Sequence, residues 1–208
     1  MMQTSSGLAD GGRLVHVMTK PGRTGCEPVL VVVTGVPGSG KTTLARRLAA
    51  ALGLPLFSLD GVKEPLYDAP GGVRRSSGEL RLTAEAVVAA LLREAPAGAV
   101  LDIWIDPTRD DRRRLRAVLP PGVPTREVYC DVPAEVALRR YAGRVRHGAH
   151  RPADPEVLHR IAVAVVLMAE GGEDEPSGLG PVIRVDTARE VVVPDLVGLI
   201  SGSLRRGL

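Results

Sequence analysis

From Val29 onward, short apolar runs alternate with longer stretches of helical spacing. Val29-Leu30-Val31-Val32-Val33 is a continuous apolar run, the pattern of a strand buried on both faces. A glycine-rich turn and a helical pattern from Thr43 to Leu52 follow it. Leu56 to Leu59 predicts a second strand. The segment Glu79 to Glu94 places Leu80, Ala84, Val87, Val88, Leu91 and Leu92 at helical spacing. Ala99 to Ile105 predicts a third strand, and Asp110 to Leu119 a basic helix stopped by Pro120-Pro121-Gly122. A fourth strand is expected over Arg126 to Cys130, then a helix over Pro133 to Val145 with proline at its start. Pro155 to Ala169 predicts a further helix, Val182 to Val185 a fifth strand, and a last helix follows Asp195. Residues 1–28 lack this periodicity and read as a loose arm, with a short extra strand at Leu14 to Met18.

Strands alternating with helices imply a three-layer α/β fold, a five-stranded, mostly parallel sheet with helices on both faces. One domain spanning 29–208 is expected, without internal repeats. In such sheets ligands bind outside the carboxyl ends of the strands. That rule singles out Asp60, the stretch from Asp102 to Asp110, and Asp186-Thr187.

Composition narrows the classes. Hydrophobic residues make up 44% of the 208 positions, enough to bury a core rather than remain disordered. Aromatics are only 2% and the formal charge is +3, so a basic surface exists with little to stack on nucleic-acid bases. Cys26 and Cys130 do not make a disulfide framework. No secretory signal is evident, and the longest apolar run, Ile161 to Ala169, is too short to span a bilayer. The expectation is a cytoplasmic protein without membrane contact; its oligomeric state is not legible.

The stretch Gly35-Val36-Pro37-Gly38-Ser39-Gly40-Lys41-Thr42 is a complete G-x-x-x-x-G-K-T phosphate-binding loop, and it stands between a strand and a helix as that motif requires. Glycines let the backbone wrap a polyphosphate with several N–H groups pointing inward, and the helix adds its positive end. Gly35, Pro37, Gly38, Ser39, Gly40, Lys41, Thr42 and Thr43 are therefore the expected nucleotide-binding residues. Lys41 would reach the β- and γ-phosphates, and the Thr42 hydroxyl would hold Mg²⁺.

Asp60, after the second strand, is placed to take a proton from an attacking hydroxyl; the bland alternative is a helix N-cap, which Asp also favours. In Val100-Leu101-Asp102-Ile103-Trp104-Ile105-Asp106, strand periodicity puts Asp102, Trp104 and Asp106 on one face. A carboxylate inside an apolar strand needs a partner. For Asp102 the Mg²⁺ shell beside Thr42 would serve, Asp106 is closer to substrate, and either is the base if Asp60 is not. The alternative for both is neutralisation by arginine. Arg139-Arg140-Tyr141-Ala142-Gly143-Arg144-Val145-Arg146 puts Arg140 and Arg144 on one helical face and suits a lid over the γ-phosphate, about residues 144–155; a solvated basic face is the plain alternative. His147 and His150 read as solvent- or substrate-facing rather than as a metal pair, because only Asp154 is near them in sequence.

These residues resemble the small P-loop kinases related to the polynucleotide 5′-kinase domain, chloramphenicol phosphotransferase and the zeta-toxin kinases. The resemblance spans Val29 to Thr187 and rests on the loop at 35–43, Asp60-Gly-Val-Lys-Glu, Val-Leu-Asp102, and the arginine-rich segment at 139–146. It implies a P-loop NTPase fold, Asp60 as base, Asp102 as Mg²⁺ support, and Arg144 or Arg146 on the phosphates. One departure is the apolar Ile103-Trp104-Ile105 after Asp102, which extends the strand pattern and leaves the roles of Asp102 and Asp106 open. The reading is an ATP- or GTP-dependent phosphotransferase using Mg²⁺ on a hydroxyl of a small molecule: an antibiotic or other natural product, a sugar or a nucleoside. Substrate contacts are expected from Lys63, Trp104, Asp106 and Arg109. The rivals are a nucleotide-hydrolysing switch acting on a partner and a nucleic-acid end kinase; sparse aromatics argue against the latter.

Overall fold

The computed structural model describes residues 28–71, 75–106, 111–145, 147–150, 159, 162–163 and 178–204. The apolar runs become β1 (Val29–Thr34), β2 (Leu56–Ser58), β3 (Gly98–Asp102), β4 (Thr125–Asp131) and β5 (Val182–Asp186). They form one five-stranded sheet in the order β2-β3-β1-β4-β5, and every neighbouring pair is parallel. The intervening helices are α1 (Lys41–Leu52), α2 (Leu59–Asp68), α3 (Ser77–Arg93), α4 (Asp111–Val118), α5 (Ala134–Ala142) and α6 (Val193–Leu204). The expected α/β architecture is thus the observed one.

Side-chain alternation along β1 divides the core into two layers. Val29, Val31 and Val33 pack with Leu44, Ala45 and Leu48 of α1 and with Leu196 and Ile200 of α6. Leu30 and Val32 face the other way, onto Leu59, Ala84, Val88, Leu92 and Leu115 of α2, α3 and α4. Burial on both faces explains why β1 carries no polar residue before Thr34. A smaller cluster of Val36, Val132, Ala137 and Tyr141 seats the glycine loop on α5.

The strand order positions the site. From β1 the chain crosses β3 to reach β2 at the edge, returns to β3, then crosses β1 to reach β4. The connections leaving β1 and β3 diverge, so a crevice opens beyond their carboxyl ends. The glycine loop leaves β1 there, and Asp102 ends β3 beside it, in register with Val33.

Several boundaries differ from the pattern. The third strand stops at Asp102, and Ile103 to Asp106 leave the ladder; Asp102, Trp104 and Asp106 therefore share no strand face, and the departure from the family pattern disappears. Ile103 and Ile105 are apolar because they pack into the α3 layer, not because they continue a strand. The helix after β4 ends at Ala142 with Gly143 as its C-cap, and Pro133 is its N-cap rather than its first residue. Arg144 consequently lies beyond the helix that carries Arg140. The arm at 1–27, the strand expected at Leu14 to Met18 and most of the helix expected over Pro155 to Ala169 lie outside the described residues. Among the described residues no helix is long and apolar enough to cross a membrane.

Candidate active site

The glycine loop is shaped by contacts that admit no side chain at two positions. Gly38 has φ 90°, and a Cβ there would stand 2.2 Å from the Ala137 carbonyl oxygen. Gly35 has φ 137°, and its Cβ would meet Ser39 Oγ at 2.7 Å and the Cys130 carbonyl at 2.8 Å. The loop is thus pressed onto β4 and α5. Gly40 is the N-cap of α1 and offers no side-chain cap, and no acidic residue occupies the first turn. The first N–H groups of α1 are left for an anion to satisfy.

A cleft of about 720 Å³ opens over this loop. Its floor includes Pro37, Lys41 and Thr42. Asp60 and Lys63 of α2 form one wall, with Asp102, Trp104 and Asp106 at and beyond the end of β3. Arg144, His147 and His150, from the turn after α5, line it as well. Residues far apart in sequence and singled out on chemical grounds thus meet at one place. Of the other loop positions, Ser39 is buried and turns its hydroxyl inward toward Gly35, leaving only its backbone for a ligand. Thr43 is exposed and does not line the cleft. Arg109, Arg146 and residues 151–155 lie outside the described residues.

The carboxylates differ sharply in setting. Asp60 stands in the first turn of α2 with its side chain 65% exposed. It is not the N-cap: Ser58 caps α2, its Oγ accepting from the Gly61 N–H at 3.4 Å. Asp102 is only 4% exposed. Ser58 Oγ donates to Asp102 Oδ2 at 3.3 Å, while Oδ1 is buried without a hydrogen-bond partner among the described residues. Arginine does not neutralise Asp102 there. The arginines go instead to Asp111, which sequence reasoning passed over. Arg81 Nη2 and Arg114 Nη2 each donate to it at 2.7 Å, and Asp111 Oδ2 accepts from the Asp106 backbone N–H at 3.3 Å. Arg81 also donates to the Trp104 carbonyl at 3.4 Å. These three side chains, partly buried, hold the segment that presents Trp104 and Asp106.

The turn after α5 docks on α2. His147 Nε2 lies 3.0 Å from Asp68 Oδ2, and His150 Nε2 lies 3.0 Å from Glu64 Oε1 and 4.0 Å from Asp60 Oδ1. The Tyr67 ring stacks edge-on to His147. Among the described residues, the carboxylates facing these histidines thus come from α2, roughly eighty residues earlier; Asp154 lies outside the described residues. No group of three or more metal-ligating side chains occurs among the described residues. Arg140 does not line the cleft as Arg144 does; its guanidinium lies beside Gly40 of the glycine loop, where Nη1 donates to the Thr187 carbonyl at 3.2 Å. Cys130 is a core residue; burial pushes its thiol up to about 12, which leaves it inert as a nucleophile.

A parallel sheet whose central strand opens into a G-K-T loop, with acidic residues facing it across a cleft, defines a P-loop nucleotide-binding protein. A sequence model of the family described as an AAA domain matches residues 30–165, and the chain belongs to that family. An adenylyl-sulfate kinase of Marinobacter nauticus is 30% identical over 80% of this chain and 79% of its own. One from Shewanella halifaxensis is 33% identical over 86% of this chain and 80% of its own. A solved structure described as a kinase from Chloroflexus aurantiacus superposes with a TM-score of 0.60 at 26% identity, covering 84% of this chain and 97% of that one. The likeness to P-loop kinases holds. The two curated relatives are adenylyl-sulfate kinases and do not single out the polynucleotide 5′-kinase, chloramphenicol phosphotransferase and zeta-toxin group.

Proposed function

We propose that the protein is a phosphotransferase that moves the γ-phosphate of ATP or GTP to a hydroxyl of a small molecule. The observation that carries this reading is the meeting of Lys41, Asp60 and Asp102 in one cleft of about 720 Å³, within the size range of small-molecule sites. The domain is residues 29–208. Kinase relatives support the reaction class, and adenylyl sulfate joins sugars, nucleosides and antibiotics as a candidate acceptor.

In this reading the backbone of 35–41 cradles the polyphosphate and Lys41 places a charge on the group in transfer. The orphaned Asp102 Oδ1 and the Thr42 hydroxyl fit Mg²⁺, an oxygen-seeking ion; when bound, it would neutralise charge on the phosphates. Asp60 accepts the acceptor's proton, for which its open position on the cleft is suited. Asp106 and Trp104 form the acceptor wall with Lys63. Arg144, and Arg146 by its place in sequence, belong to a lid of about residues 144–155 that excludes water.

The test is a panel of hydroxyl compounds, adenylyl sulfate and a 5′-hydroxyl oligonucleotide among them, incubated with labelled ATP or GTP and Mg²⁺. Transfer to a small hydroxyl compound exceeding release of inorganic phosphate is expected. Hydrolysis alone would identify a switch, and transfer to the oligonucleotide alone an end kinase. Arg144→Ala is expected to lower kcat on the order of 10²-fold, as for one lost charge-stabilising donor, with the melting temperature nearly unchanged because the residue is exposed. Wild-type turnover in Arg144→Ala, Arg146→Ala and the double variant would remove the lid from the mechanism.

A further inference from the structure

The cleft holds a buried cation that, among the described residues, has no carboxylate within ion-pair distance. Lys63 is 9% exposed and lines the cleft. Its Nζ donates to the neutral Ser77 Oγ at 3.0 Å, and among the described residues no carboxylate lies within ion-pair distance of it. The neighbouring charges are committed elsewhere. Glu64, the next residue along α2, is taken by His150 at 3.0 Å. Asp60, one turn earlier, points into the open cleft with its side chain 65% exposed. Arg81 shares the wall with Lys63 but is satisfied by Asp111 at 2.7 Å and Glu85 at 2.9 Å. Glu79, at the start of α3, is held by Ser76 at 2.7 Å and does not line the cleft.

A buried ammonium is unfavourable unless an anion meets it. Burial already holds Lys63 below the ordinary lysine range, against the opposing pull of Asp60 and Glu64. Ser77 extends the site: a hydroxyl that accepts from Lys63 keeps its own proton free to donate, and Ser77 also lines the cleft. Lys63 follows Asp60 by three residues on α2, so the two side chains lie on one helical face. A group bound at Lys63 therefore stands next to one that meets Asp60.

We infer that the acceptor is an anion, carrying a carboxylate, sulfate or phosphate that pairs with Lys63 and Ser77 while its hydroxyl meets Asp60. This deepens the proposed function and rests on it. The test compares acceptors with and without an anionic group, gluconate against sorbitol and adenylyl sulfate against adenosine, in wild type, Lys63→Met and Ser77→Ala. Met retains the length and burial of Lys63 without its charge. In wild type the anionic member is expected to have the higher kcat/KM. In Lys63→Met the anionic-to-neutral ratio should fall by about 30-fold or more, the scale of a lost charged hydrogen bond, and in Ser77→Ala by a smaller factor. Equal use of both members by wild type, or an unchanged ratio in a folded Lys63→Met, overturns the inference. If Lys63→Met does not fold, the wild-type preference and Ser77→Ala decide. If no acceptor takes phosphate, the proposed function fails separately. Calorimetric titration of adenylyl sulfate and gluconate into protein saturated with Mg²⁺ and a non-hydrolysable ATP analogue then decides the site. Binding weakened by Lys63→Met or Ser77→Ala upholds it, and absence of binding overturns it.

Discussion

Lys41→Ala is expected to lose phosphoryl transfer by about 10³-fold, the upper scale for removing one preorganised charge-stabilising group, while the protein stays folded. Lys41 opens α1 and projects into the cleft. The core contacts of α1 come from Leu44, Ala45 and Leu48 on its other face, so the substitution leaves no cavity, and alanine favours the helix. The helix start is capped by no side chain in either protein. Transfer and thermal unfolding measured on the same preparations check this. A folded Lys41→Ala protein that transfers phosphate at the wild-type rate would show that the loop is not the active site.

The parallel sheet was legible because β1 and β3 are buried along their whole length, which leaves apolar runs, and because the mixed runs of β2, β4 and β5 stand between helical patterns and turns. The glycine loop was legible because its function constrains the backbone as well as the side chains, as Gly38 against the Ala137 carbonyl shows. What the sequence hid has physical causes. Gly61 and Pro65 lie inside α2, and both depress helix propensity, so no helical pattern announced the element that follows the second strand. Ile103 and Ile105 are apolar for the sake of the α3 layer, which mimics a longer strand. The docking of His147 and His150 on Asp68 and Glu64, and the hold of Asp111 on Arg81, join residues 30 to 86 positions apart. No local pattern carries such pairings. Ser58 is the most telling omission. It caps α2 and donates to Asp102, tying the helix that carries Asp60 to the strand that ends in Asp102.

That tie sharpens the second large prediction. Asp60→Asn should bind Mg²⁺–nucleotide about as tightly as wild type yet transfer phosphate at least ~100-fold more slowly, the scale of a lost general base. Asn keeps the shape of Asp but accepts no proton. The cap of α2 belongs to Ser58, and the Asp60 side chain is 65% exposed, so neither helix nor core is disturbed. The 4.0 Å approach to His150 is a partly exposed contact, worth little to stability. A loss of transfer at constant nucleotide affinity and constant melting temperature is therefore attributable to chemistry. Nucleotide affinity is read by calorimetry, and transfer with whichever acceptor the panel identifies. Asp102→Asn separates the two carboxylates: in the role proposed for Asp102 at Mg²⁺, it should weaken Mg²⁺-dependent nucleotide binding, which Asp60→Asn should not. Full transfer by Asp60→Asn would move the base to Asp102 or Asp106. Of these, Asp102 already accepts a hydrogen bond from Ser58 at 3.3 Å, and Asp106 sits on the wall held by Asp111 through its backbone N–H. Asp106→Asn would then be the deciding variant.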